Sequence, residues 1–159
     1  MTSAITEPTI IHNTFIIERS FPQSPDKVFA AFADAAKKQR WYAESSSHEL
    51  MKFAMDFRVG GAESYAYKFG EGSPFPGLVI TNEGTFQEIV EDRTIVLATT
   101  MTFGDKRIST SLVTVEILPK DSGCELILTH QGAFYPGADG PQMREAGWKK
   151  ILDRLPNVL

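Results

Sequence analysis

The sequence holds a single cysteine, Cys124, so no internal disulfide can form, and a reducing compartment is expected. Histidines are equally scarce. His12, His48 and His130 lie far apart without ligand spacing, which argues against a metal site. No Lys/Arg cluster exceeds a pair, and sixteen basic residues against twenty acidic ones leave a net charge of −4. A nucleic-acid backbone or an anionic membrane needs a concentrated positive face, so neither is expected as a partner. No apolar run approaches the roughly eighteen residues of a membrane-spanning helix. The polar start MTSAITEPT lacks the basic and apolar regions of a signal peptide, so a cytoplasmic location is expected. The glycines of Gly70-x-Gly72 and Gly137-x-x-Gly140 sit outside any strand-to-helix context, so neither reads as a phosphate cradle. No G-x-S-x-G motif occurs, and no organic cofactor is expected. Repeats and low-complexity stretches are also missing, which excludes solenoids and propellers.

What is present is an ordinary globular composition, 42% hydrophobic and 23% charged over 159 residues. One sizeable core fits that length. The expectation is a single domain over 1–159 whose first thirteen residues form a loose leader.

Thr14 to Phe21, rich in β-branched and aromatic residues, predicts a strand. Ser24 before Pro25 predicts a helix N-cap, and Val28, Phe29 and Phe32 supply its apolar face. Asp34 predicts the cap of a second short helix reaching Arg40 or Trp41. From Leu50 the periodicity becomes two, predicting an antiparallel meander: Leu50 to Phe57, Ala62 to Phe69, Leu78 to Val90, Thr94 to Phe103, Arg107 to Leu118 and Cys124 to Gln131. Gly60-Gly61 marks a tight turn. The segments Gly70 to Gly77 and Gly132 to Gly140 read as flexible loops. A last helix opens at Pro141, with Trp148, Ile151, Leu152 and Leu155 on one face and Lys149, Lys150, Asp153 and Arg154 on the other. The sum is an α+β architecture with helices packed on an antiparallel sheet.

Five segments in this order carry a resemblance: Ser24-Pro25-x-x-Val28-Phe29, Phe57-Arg58-Val59-Gly60-Gly61, Gly84-Thr85-Phe86-x-Glu88-Ile89, Leu126-x-Leu128-Thr129-His130 and Gly147-Trp148-x-x-x-Leu152-x-x-Leu155. Together they resemble the helix-grip (START-like, Bet v 1-like, SRPBCC) superfamily, and within it domains similar to the C-terminal domain of the activator of Hsp90 ATPase. The resemblance implies a curved sheet of six to seven strands around a long C-terminal helix, with a hydrophobic cavity between them. Members bind sterols, lipids or polyketides, some are cyclases or hydrolases, and some are co-chaperones. The Hsp90 activator carries a further N-terminal domain for which this length leaves no room, so a chaperone partner is not expected.

One-residue alternation then assigns the inward face of such a sheet. It comprises Tyr65 and Tyr67; Phe86; Ile95, Leu97, Thr99 and Met101; Val113, Val115 and Ile117; and Leu126, Leu128 and His130, faced by Met143, Gly147 and Trp148. The expected ligand contacts are Tyr65, Tyr67, Phe86, Leu97, Thr99, Met101, Val113, Val115, Leu128, His130, Met143, Gly147 and Trp148. His130 and Glu63 are the candidate proton-handling groups. The plainer alternative for His130 is an imidazole hydrogen-bonded to backbone. Glu63 either enters the cavity with a raised pKa or, one register step away, faces water. Gly147 either brings the helix close to the sheet or leaves room for ligand, and Cys124 is expected to be inert. Three functions stay open: binding of a small, mostly apolar molecule, cofactor-free cyclase or hydrolase chemistry, and a chaperone-associated role. A homodimer is compatible with each.

Overall fold

The computed structural model describes residues 6–159; of the expected leader, residues 1–5 lie outside the described residues. Its later part is not loose, because strand β1 already begins at Ile11 and runs to Phe21. Phe15, Ile17 and Phe21 alternate inward along it. Helix α1, Pro25–Ala33, starts with its proline where no N–H is required. The Ser24 hydroxyl does not cap it as expected but donates to the Asp26 carboxylate, at 2.5 Å. Asp34 does cap α2, Ala35–Lys38, accepting from the Lys37 amide at 3.0 Å. The chain then widens into a π-helical turn, Gln39–Ala43, which buries Trp41, Tyr42 and Ala43.

Six further strands follow: β2 (His48–Met55), β3 (Ala62–Phe69), β4 (Val79–Val90), β5 (Thr94–Phe103), β6 (Lys106–Lys120) and β7 (Gly123–Phe134). They form one antiparallel sheet in the order β1-β7-β6-β5-β4-β3-β2. Extra residues in β2, β4 and β6 shift the register and bend it into a curved, open surface. At the β2–β3 turn Gly60 adopts φ +83°, which a side chain would disfavour. β7 runs past Gln131 through Gly132 to Phe134, where a loop is expected from the glycine. Pairing with β1 on one side and β6 on the other holds it extended.

Helix α3 spans Pro141–Leu152 and crosses near β1 and the π-helical turn. Its last i→i−4 bond runs from the Asp153 N–H to the Lys149 carbonyl; the Arg154 N–H turns to Ile151 instead, and Pro156, having no N–H, cannot resume the pattern. A 3₁₀ turn, Leu155–Val158, keeps Leu155 buried nonetheless. Arg154, expected on the solvent face, turns inward and donates to the carbonyls of Trp41 and Tyr42 at 3.0 and 3.3 Å. The core is one cluster in which Val28, Phe29 and Phe32 of α1 and Trp41 meet Phe86, Val115, Ile117, Leu126 and Leu128 of the sheet and Leu152 and Leu155 of the C-terminal segment. No helix among the described residues is long and apolar enough to cross a membrane.

Candidate functional site

The inward face of the sheet is shared between two occupants. α1 packs on β6 at one end. Toward the other end, between the sheet and α3, lies a cavity of about 600 Å³. Alternation in β3 to β7 aims Tyr65, Tyr67, Leu97, Thr99, Met101, Val113 and His130 into it, while α3 supplies Met143, Gly147 and Trp148. Three expected contacts do not border it. Phe86, Val115 and Leu128 face inward as expected, but lie in the core end of the same rows.

Glu63 also departs from both expectations, entering neither the cavity nor water. It is buried on the face of Tyr65 and accepts from Lys38 Nζ at 2.5 Å, with both side chains almost fully enclosed. The ammonium lies 4.9 Å from the Tyr42 ring centroid and 5.8 Å from that of Phe86.

Four groups of side chains shape the cavity. Tyr42, Tyr65, Tyr67 and Trp148 form an aromatic wall, with Tyr42 centred 5.3 Å from Tyr65 and 5.6 Å from Trp148. Burial raises the pKa of each of the three tyrosines, keeping the phenols neutral. Asn82 links this wall to β5: its amide donates to the Tyr42 hydroxyl at 3.2 Å, and its carbonyl accepts from Thr99 Oγ1. At the mouth, Phe69, Phe75 and Phe103 make an apolar lip, with Phe75 centred 5.1 Å from Phe103. Met143 is 68% exposed at the rim.

The fourth group is the least expected. Ser109, Ser111 and His130 are buried, border the cavity, and their hydroxyls and both ring nitrogens have no hydrogen-bond partner among the described residues. A backbone hydrogen bond, the plainer expectation for His130, is therefore not what holds its ring. Phe15 does, stacked at 4.6 Å, with Phe134 at 6.0 Å on the same ring. Burial first, and the nearby Arg144 charge second, lower the His130 pKa to about 4. At neutral pH the ring is an uncharged donor and acceptor. Arg144 itself is buried over Phe134 and clamps Asp139 through two bonds of 3.0 and 2.9 Å.

The missed lining residues follow a signal that was available. Ile80 and Asn82 share the parity of Phe86, and Ser109 and Ser111 that of Val113, so extending each alternating row would have found them. Arg144, Asp139 and Tyr42 depend on how loop and helix dock and carry no such signal. Gly147 leaves open space: a Cβ added there meets nothing within 4 Å. Cys124 is buried, and that burial raises its thiol pKa. No group of three His, Cys, Asp or Glu residues gathers for a metal among the described residues.

Comparisons with known proteins agree with this architecture. Mll3558 protein from Rhizobium loti superimposes with a TM-score of 0.85 at 41% identity, covering 96% of this chain and 100% of that one. A putative uncharacterized protein from Rhizobium leguminosarum gives the same TM-score at 28% identity, covering 92% and 93% of the two chains. Protein CV1439 from Chromobacterium violaceum gives 0.72 at 25% identity, covering 90% and 94%. No curated protein sequence matches significantly. The family described as activator of Hsp90 ATPase homolog 1-like protein matches residues 22–159, nearly the whole described chain, and the chain belongs to that family.

Proposed function

We propose that this protein binds a small, mostly apolar molecule in the cavity between sheet and α3. One observation carries the reading: a cavity of about 600 Å³, walled by aromatic rings, is left unfilled by Gly147 on the helix that covers it. Ligand sites of roughly 300–1,000 Å³ with largely apolar linings are the usual size class. Family membership supports the fold that makes such a cavity, and the cavity supports the function.

Native mass spectrometry of freshly purified protein tests for a retained molecule, and titration with pyrene, a neutral fluorescent hydrocarbon, tests the site directly. Saturable one-to-one binding is expected, lost in Gly147→Phe, whose ring occupies the free space. Pyrene binding unchanged by that substitution, together with no retained molecule, overturns the reading.

Convergence of Ser109, Ser111 and His130 on the same cavity favours a second reading, cofactor-free hydrolase or cyclase chemistry with His130 as the proton-handling group. An imidazole with a pKa near 4 is a weak base at neutral pH, so binding ranks first. Glu63 has no part in either reading, being held by Lys38 outside the cavity. Association with Hsp90 is a separate matter, decided by a pull-down from cell extract.

A further inference from the structure

The strongest unexplained feature is the polar end of the cavity. Ser109, Ser111 and His130 bury four polar atoms with no partner among the described residues. Burying such groups unpaired is unfavourable, so a site that keeps them together is arranged for something carried in.

Their placement is built by the sheet. Ser109 lies opposite Phe134, Ser111 opposite Gly132 and Val113 opposite His130, so all project from neighbouring rows of one face. Gly132 lets the three pack closely: a Cβ there would stand 2.9 Å from His130 Cε1 and 3.2 Å from Ser111 Oγ, closer than a side chain tolerates. Serine and imidazole therefore lie side by side on the wall of the cavity. Phe15 and Phe134 fix the ring.

Resting on the reading of the cavity as a ligand site, we infer that it selects an uncharged molecule bearing a hydroxyl, which pairs with the Ser109–Ser111–His130 group while its apolar body lies against Tyr65, Tyr67 and Trp148. Donor and acceptor arithmetic favours a hydroxyl. A neutral imidazole presents one donor and one acceptor, each serine presents both, and a hydroxyl answers both kinds at once. A carboxylate only accepts, and among the described residues no free positive charge stands beside the serines and the imidazole. Arg144 is committed to Asp139 through two bonds, and Lys106, which also lines the cavity, is exposed at its mouth beside Gly137.

Fluorescence titration of the full chain near pH 7.5 with pyrene, 1-hydroxypyrene and pyrene-1-carboxylate tests this. 1-Hydroxypyrene is expected to bind about tenfold tighter than either of the others, the worth of one or two well-made hydrogen bonds. The variant Ser109→Ala/Ser111→Ala/His130→Phe is expected to erase that preference, read as the ratio of 1-hydroxypyrene to pyrene affinity within the variant. Should it fail to fold by circular dichroism, Ser111→Ala alone is expected to reduce the preference about threefold. Equal affinity for pyrene and 1-hydroxypyrene overturns the inference while leaving the cavity as a ligand site. Tightest binding of the carboxylate also overturns it, marking an anion site instead. If none of the three binds, the reading of the cavity as a ligand site falls, and the inference with it.

Discussion

Phe15 on β1 and His130 on β7 face each other across paired strands, with ring centroids 4.6 Å apart and planes within 5° of parallel. That stack seals the imidazole from water on one side and leaves its edge to the cavity.

Stability should therefore depend on pH through His130. Its pKa is lowered from 6.5 to about 4 in the folded state, so between those values the unfolded chain binds more protons. Stability is fully present above pH 6.5 and declines as pH falls toward 4, by on the order of 3 kcal/mol from this group. Urea denaturation of the wild type and of His130→Phe, at pH 7.5 and pH 4.5, isolates the effect because other titrating groups are shared. The variant should lose clearly less stability between the two pH values. Equal losses would show that the imidazole is not held neutral.

Lys38 and Glu63 form a buried pair, and breaking it from one side strands a charge. Lys38→Met should cost about 3–5 kcal/mol. The double variant Lys38→Met/Glu63→Met should recover most of that, because paired desolvation is removed along with paired attraction. Chemical denaturation at neutral pH compares the two, and a double variant no better than the single would refute the pairing as the source of the loss.

The two tryptophans should answer differently to truncation. Trp41 is fully enclosed and donates its indole N–H to the Ala31 carbonyl at 2.7 Å, so Trp41→Ala should cost about 3–5 kcal/mol. Trp148 is only partly buried and already borders open volume, so Trp148→Ala should cost clearly less. Similar losses for both would mean that the indole of Trp148 is packed as core.

Gly147 sits inside α3 with room for a methyl group. Gly147→Ala should raise stability by up to about 1 kcal/mol, the propensity difference between the two residues in a helix interior. Thermal unfolding of the variant checks it, and a lowered midpoint would show that the space is not free.

Much of this was legible from residues alone, for a physical reason. Strand periodicity is local, so Tyr65, Tyr67, Leu97, Thr99 and Val113 could be assigned to one face before any fold was known. Where along that face the helices sit is not local. Phe86, Val115 and Leu128 obey the same alternation as the cavity residues, and only the docking of α1 makes them core. Glu63 illustrates the limit best. Its direction stayed open between cavity and water, because a one-residue register step reverses it, and its partner, Lys38, comes from a separate helix whose docking no local pattern encodes. Arg154 likewise looks exposed by helical period, until the early stop of α3 turns it onto the carbonyls of the π-helical turn.

The sheet order carries a consequence for the sequence of events in synthesis. Strands β2 to β7 each pair with a neighbour made just before or after, but β1, made first, pairs only with β7, made last. Phe15, Ile17 and Phe21 thus leave the ribosome long before their partner strand exists, and closing that long loop is entropically the costliest pairing of the sheet. The meander can assemble ahead of it. The stack of Phe15 on His130 belongs to that pairing, so the polar end of the cavity depends on the contact with the longest loop to close.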